Sequence, residues 1–331
     1  MILKDRMGQI KKIAVFTSGG DSPGMNSCVR AVVRSGLKNG LEVVGIYRGY
    51  QGMMEGDFLA CEAHTVSNIL HRGGTFLKTA RSEEFRTKEG RAKAFEQLKK
   101  NNIDALVVIG GDGSFTGAAV LHEEYGIPVI GCPGTIDNDL FGTDFTIGYD
   151  TAVNTVVDAI DRIRDTAESH NRLFFVEVMG RDAGLIALRS AVASGAEAVL
   201  IPETVTYIDE LIETLRNGYL QHKSSAIIIV AEGDDEGGAY EIAEKVGAKF
   251  NSYETKVTVL GHIQRGGKPS AFDRVVASRM GHKAVLSLLE GETNKMVGMQ
   301  RNELVLVPFT QAIKHHKEIN QDLLNLVEVL S

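Results

Sequence analysis

No stretch of this 331-residue chain approaches the roughly 20 consecutive apolar residues that a helix needs to cross a bilayer, so a membrane span is not expected. Cysteine is scarce. Cys28, Cys61 and Cys132 are odd in number, far apart and without a C-x-x-C pair, which leaves neither a disulfide framework nor a zinc site. They read as small core residues. No Lys/Arg block is present, and a formal net charge of −7 argues against general nucleic-acid binding. Local arginines must therefore supply any phosphate contact. The opening MILKDRMGQIKKIAVF is positively charged but runs directly into a strand pattern, with no long apolar region and no small-residue cleavage site. A cytoplasmic protein is expected. A G-x-x-x-x-G-K-[ST] segment is missing too, which excludes a P-loop enzyme of the usual kind.

What is present is ordinary in amount and ordered in pattern. Hydrophobic and charged fractions of 43% and 24% are those of a globular enzyme, and the length allows two domains or one large α/β body. A short β-branched run, then glycines, then a helical stretch recurs: KKIAVFTSGG leads to GMNSCVRAVVRSGLKNG, and DALVVIGGDGS leads to FTGAAVLHEEYG. LEVVGIY and IPVIGCPGT add strands. In the second half TAVNTVVDAIDRIRDTAESH and GLIALRSAVASG read as helices, and RLFFVEVMG, AVLIPE and SAIIIVAEG as strands. Strands alternating with helices predict an α/β fold with mainly parallel sheets in two halves. EGDDEGGAY reads as a surface loop.

Ligands of open parallel sheets bind outside the carboxyl ends of the strands, and three glycine-rich segments end strands here: TSGGDSPGMN, IGGDGSFTG and PGTIDND. In the second, Gly110, Gly111 and Gly113 allow a sharp turn and a close approach to a ligand, and the helix starting near Ser114 offers its N-terminus to an anion. Asp112 suits Mg²⁺, which takes one or two protein oxygens beside phosphate and water; as a helix cap it would need no ligand. In TSGGDSPGMN, Asp21 or Ser22 can cap the following helix. RGGTFLKTAR places Arg72 and Arg81 beside flexible backbone, where arginine can clamp phosphate or stay an ordinary surface residue.

Together these segments resemble the ATP-dependent 6-phosphofructokinases of bacterial type over nearly the whole chain. TSGGDSPGMN, RGGTFLKTAR, VVIGGDGS, PGTIDND, DRIRDTAESHNR, VEVMGR, VLGHIQRGG and DRVVASRMG match the family's motifs in its order and at nearly its spacing. GGDG alone also occurs in NAD kinases and diacylglycerol kinases; PGTIDND with MGR and GHIQRGG is specific. The resemblance implies two Rossmann-like three-layer domains with the active site in the cleft between them. Residues 1–148 with about 264–312 would bind ATP, and about 149–263 with 313–331 would bind fructose 6-phosphate. Residues before Lys11 extend past the family's usual start, with Met7 as an alternative initiator to Met1.

The implied reaction carries the ATP γ-phosphoryl to the 1-hydroxyl of fructose 6-phosphate, the committed step of glycolysis, with Mg²⁺ as cofactor. The family's base falls on Asp137, and Thr135 would position the reacting groups. The Gly20 N–H, Arg81 and Arg181 would neutralise charge on the transferring phosphoryl. Gly20, Arg81, Ser82, Gly111, Asp112, Gly113 and Ser114 would meet the nucleotide, with Asp112 on the metal. Pyrophosphate-dependent relatives carry aspartate and lysine at the positions of Gly113 and Gly134, so glycine at both favours ATP. The sugar would meet Thr135, Ile136, Asp137, Met179, Gly180, Arg181 and Glu232, and its 6-phosphate Arg172, Lys256 and the turn His262, Ile263, Gln264, Arg265. On residue type alone, His262 would be a structural histidine and Met179 simple core. Asp139 would support the site from behind, an arrangement the i, i+2 spacing allows if PGTIDND is extended.

In this family the residues at Arg172 and Lys256 reach in from a neighbouring subunit, which implies a homotetramer. Lys256 departs from the usual arginine, losing the planar fork, and weaker sugar-phosphate binding is expected. An effector site for ADP or phosphoenolpyruvate falls on Arg30, Arg34, Arg164, Gly195, Glu197 and Lys223, but Ala63, Gln221 and Ser224 replace cations there, predicting blunted control. Two other readings are a kinase of the same fold with another donor or acceptor, such as pyrophosphate or a nucleoside, and a noncatalytic nucleotide-binding subunit. Gly113 and Gly134 oppose the first; intact Asp112, Thr135, Asp137 and Arg181 oppose the second.

Overall fold

KIAVFT and ALVVIG contain the unbroken apolar runs IAVF and ALVVI, the pattern of strands covered on both faces, and both become central strands of a mainly parallel sheet. The protein is described from a computed structural model covering residues 10–315 and 317–331. The alternative starts at Met1 and Met7 lie outside the described residues.

In chain order the first elements are β1 (Lys12–Thr17), α1 (Met25–Lys38), β2 (Glu42–Ile46), α2 (Gly49–Glu55), β3 (Phe58–Cys61), α3 (Lys88–Lys100), β4 (Ala105–Gly110), α4 (Asp112–Tyr125) and β5 (Val129–Pro133). There follow α5 (Tyr149–Glu168), β6 (Arg172–Val178), α6 (Leu185–Ser194), β7 (Ala198–Leu200), α7 (Ile208–Leu220), β8 (Ala226–Ala231), α8 (Ala239–Gly247) and β9 (Glu254–Val259). The last are α9 (Ala271–Leu289), β10 (Lys295–Gln300), β11 (Glu303–Pro308), α10 (Phe309–Lys314) and α11 (Gln321–Leu330).

These elements form two units. One holds the residues through Thr135, Leu140–Asp150 and Arg265–Lys317; the other holds Ile136–Asp139, Thr151–Gln264 and Glu318–Ser331. The first carries a seven-stranded sheet in the order β11-β10-β5-β4-β1-β2-β3, parallel except for its two edge strands. Alternation along β1 sends Ile13 and Val15 into a core with α1 and α9, and Ala14 and Phe16 into a second core with α2, α3 and α4. That makes three layers. Strand order reverses between β1 and β4, so the turns after these strands open at the point where such sheets bind ligands.

The second unit carries a parallel four-stranded sheet, β7-β8-β6-β9. Leu173, Phe175, Ile228 and Val230 pack on Leu211, Leu215, Ile242 and Val246 of α7 and α8, while α6 lies against β8 and α11. EGDDEGGAY is less of a surface loop than expected. Asp234 is buried, accepting the Thr206 hydroxyl at 2.8 Å and the Glu236 N–H at 3.0 Å, and α8 already starts at Ala239. Burial pushes the Asp234 carboxyl up from its usual range. Cys28, Cys61 and Cys132 are all buried, as expected of small core residues. Among the described residues no helix is long and apolar enough to cross a membrane.

In the first unit, stacked Phe115 and Phe309, 4.9 Å apart at their ring centroids, close over β5 at Gly131. A Cβ there would lie 2.5 Å from Phe115 and 2.7 Å from Phe309, so Gly131→Ala should lower stability by about 1–3 kcal/mol, seen as a lower urea midpoint at unchanged m-value.

Candidate active site

In the first unit three strand ends converge. Ser18 N–H donates to Ile109 O at 2.9 Å and Gly134 N–H to Gly110 O at 2.9 Å, tying the turns after β1, β4 and β5 together. Glycine makes this approach feasible: a Cβ on Gly110 would sit 2.4 Å from Ser114 Oγ and 2.5 Å from Ser18 O. The helix after GGDG starts at Asp112, earlier than expected, and its N-cap is Gly111 with no side-chain cap bond. The capping role for Asp112 is therefore not taken up; the residue is exposed in the first helical turn. A side chain at Gly113 would meet nothing within 4 Å. One exposed carboxylate, open space beside it and a helix N-terminus fit Mg²⁺ held largely by a ligand's phosphates. Ser114 is buried, and its carbonyl accepts the Tyr50 hydroxyl at 2.5 Å. Burial holds the Tyr50 phenol well above its usual range, so it stays a donor.

Neither Asp21 nor Ser22 caps α1. Gly24, at φ 106°, is its N-cap, and Ser22 Oγ donates to Ile147 O at 2.8 Å. RGGTFLKTAR is not loose either. Asn26 Nδ2 donates to Arg72 O at 3.1 Å, Phe76 N–H donates to Asn26 Oδ1 at 2.6 Å, and Thr17 Oγ1 donates to Lys78 O at 2.9 Å. Asn26 was not marked as a site residue by its type or spacing, yet it shapes the segment that ends in exposed Arg81. Ser82 Oγ donates to Gln51 Oε1 at 2.8 Å. Gly20 is exposed, and its missing side chain leaves room for Arg265, whose Nη1 would be 2.6 Å from a Cβ there and donates to Asp21 O at 3.3 Å. Arg265, expected among the 6-phosphate ligands, thus lies against the turn after β1.

The chain passes from the first unit to the second at Thr135 and Ile136. Thr135 is buried, and its carbonyl accepts the Thr146 hydroxyl at 2.7 Å. Ile136 is fully buried, so its side chain is core. Asp137 is 2% exposed, with Oδ2 3.7 Å from Arg181 Nε. Asn138 between the two carboxylates has φ 56°, so PGTIDND is not extended and the shared-face argument for Asp139 fails.

Within the second unit the ends of β6, β8 and β9 build a second cradle. Arg181 takes φ 53°, unusual for a side chain-bearing residue, and is held there by Glu232 Oε1, which accepts from Arg181 N–H at 2.7 Å and Gly180 N–H at 3.3 Å. Gln264, completely buried, accepts from Met179 N–H at 3.2 Å and donates to Gly261 O at 3.0 Å. It braces Met179, which is half-buried and so not simple core. His262 and Ile263 are exposed, which removes the structural-histidine alternative. Arg172 and Lys256 meet at Glu254: Arg172 Nε lies 2.8 Å from Glu254 Oε2, and Lys256 Nζ 2.6 Å from Oε1. Hydrogen bonds from Lys256 and then Arg172 hold the Glu254 carboxyl down at about 2.

The expected effector residues come from both units. Arg30 and Arg34 share α1; desolvation and then the Arg34 charge lower the Arg30 guanidinium from its usual range. In the second unit Arg164 donates to the Ser194 and Gly195 carbonyls, and Lys223 Nζ lies 2.6 Å from Glu197 Oε2.

A family model described as Phosphofructokinase matches residues 12–288. The chain is 54% identical to "ATP-dependent 6-phosphofructokinase 2" of Bacteroides thetaiotaomicron, over 98% of this chain and 100% of that protein. It is 56% identical to "ATP-dependent 6-phosphofructokinase" of Cytophaga hutchinsonii, over 97% and 98%. Among solved structures, phosphofructokinase from Saccharomyces cerevisiae superimposes with a TM-score of 0.88 at 39% identity, covering 92% of this chain and 45% of that longer one.

Because Glu232 holds two backbone donors of the β6 turn, Glu232→Ala should speed amide exchange at Gly180 and Arg181 while leaving the β8 amides protected. Hydrogen exchange read by mass spectrometry checks this.

Proposed function

The chain belongs to the phosphofructokinase family, and on that premise we propose that it transfers the γ-phosphoryl of ATP to the 1-hydroxyl of fructose 6-phosphate, giving fructose 1,6-bisphosphate and ADP. The observation that carries the proposal is identity above one half to ATP-dependent 6-phosphofructokinases across nearly the full length, with Asp112, Thr135, Asp137 and Arg181 all present. The open space at Gly113 supports ATP over pyrophosphate, since an aspartate there would project where a nucleotide phosphate needs room.

Asp137 accepts the proton of the sugar's 1-hydroxyl as that oxygen forms its bond to the γ-phosphorus and the bond to the bridging β–γ oxygen breaks. A weak base suffices, because the alcohol becomes acidic only as the new bond forms. Burial keeps water away from the carboxylate, and Arg181 at 3.7 Å offers it a countercharge. Arg181 also neutralises the transferring phosphoryl, together with Arg81 and the Gly20 N–H. Thr135 orients the reacting groups. Asp112 would hold Mg²⁺, which when bound supplies charge neutralisation on the nucleotide phosphates. Met179, Gly180 and Glu232 of the second unit line the sugar, and His262 of that unit and Arg265 of the first meet the 6-phosphate. Arg172 and Lys256 serve the 6-phosphate of a neighbouring subunit in a homotetramer, and the enzyme works in cytoplasmic glycolysis.

Asp137→Ser should cut kcat by about 10²–10⁴-fold with a much smaller change in either KM. Coupled detection of ADP against a panel of sugar phosphates measures this, and absence of turnover on fructose 6-phosphate by the parent protein would overturn the proposal. Effector control is weak in this reading, because Ala63, Gln221 and Ser224 each remove a charge-assisted contact worth about 1.5–3 kcal/mol when well made. The fructose 6-phosphate saturation curve should be close to hyperbolic and respond little to low ADP.

A further inference from the structure

We infer that Glu254 is a positioning residue for the sugar's 6-phosphate, holding Arg172 and Lys256 side by side as one anion receptor. This rests on the reading above that those two cations receive the 6-phosphate.

The arrangement is built by the β6–β9 ladder. Arg172 and Glu254 are direct partners across the two parallel strands, and Lys256 stands two residues further along β9 on the same face. β9 is an edge strand, and the three side chains stay partly exposed, Arg172 at 23%, Glu254 at 51% and Lys256 at 42%. Two cations on neighbouring strands repel each other. The shared carboxylate removes that conflict, since Oε2 takes Arg172 Nε at 2.8 Å and Oε1 takes Lys256 Nζ at 2.6 Å.

Which atoms the carboxylate uses matters as much as its charge. It engages the guanidinium through Nε, and Thr166 Oγ1 accepts from Nη1 at 3.4 Å, fixing the plane of the fork while other N–H groups stay available to an oxyanion. A lysine gives a point charge on a flexible stem, so its position depends on a tether more than an arginine's would. Glu254 supplies that tether where this chain carries Lys256. The triad keeps a net positive charge while Glu254 is ionised, and the pull of both cations keeps it ionised far below neutral pH. A simple competitor for the phosphate would act in the opposite sense: removing it would tighten sugar binding.

The test is steady-state kinetics on the intact assembled enzyme with Glu254→Gln, Arg172→Ala and the double variant, with thermal midpoints recorded alongside. Glu254→Gln preserves volume and removes the charge. It should raise KM for fructose 6-phosphate about 10-fold, the lower range for losing one charge-assisted hydrogen bond, with the effect on KM rather than kcat and with little change in KM for ATP. In the Arg172→Ala background the same change should add little, because the two residues act as a unit. An unchanged or lowered KM in Glu254→Gln overturns the inference, as does full additivity in the double variant. If Arg172→Ala itself leaves KM for the sugar phosphate unchanged, the phosphate-binding reading falls, and the inference with it. If Arg172→Ala raises KM and Glu254→Gln does not, only the inference falls.

Discussion

At Gly110 the main chain leaves no room for even a methyl group: Ser114 Oγ and Ser18 O would lie 2.4 and 2.5 Å from it. That closeness is what lets the turns after β1, β4 and β5 share hydrogen bonds, from Ser18 to Ile109 and from Gly134 to Gly110. The consequences spread outward. The GGDG turn delivers the start of α4 with Asp112 exposed, and Asn26 and Thr17 fasten the Arg81 segment beside the end of β1. A phosphate-binding surface needs many backbone donors in a small space, and glycine is the residue that permits it.

The second unit solves a different problem with the same economy of parts. Its sheet presents turns after β6, β8 and β9, and for the proposed sugar site their donors must be fixed in place. Two acceptors do this, Glu232 for the Gly180 and Arg181 amides and Gln264 for the Met179 amide, and at the opposite end of the sheet, where β6 and β9 begin, Glu254 holds the Arg172 and Lys256 side chains. The left-handed Arg181 shows the effect most clearly, because a non-glycine residue keeps such a conformation when its surroundings hold it. In the proposed reading, sugar recognition by the second unit is a matter of preorganised donors, and nucleotide recognition by the first is a matter of cleared space.

Much of this was legible in advance, and the failures have identifiable causes. Alternation and apolar runs marked β1, β4, β5, β6 and β8, since strands covered on both faces have little freedom in composition. α2 and α3 were not read: GYQGMME carries two glycines, and KEGRAKAFEQLKK is polar nearly all round, so neither shows a clear helical stripe. The capping roles considered for Asp21, Ser22 and Asp112 failed because glycines occupy both N-cap positions. EGDDEGGAY looked solvent-exposed by composition, yet Asp234 is buried against Thr206, a partner in another loop.

Local spacing and residue type were enough for the α/β class with parallel sheets, the glycine turns at strand ends and the set of motifs that places the chain in its family. What each polar atom is doing came from the packing of distant segments. Gln264 and Met179 are 85 residues apart, and Arg172 and Glu254 are 82 apart, so no local pattern could pair them. Nor could spacing reveal that Asn138 turns the chain between Asp137 and Asp139, since a left-handed residue is stabilised by what surrounds it. Residue types name the chemistry a chain can perform; long-range packing chooses which of those groups are spent on holding the fold and which are left for the substrate.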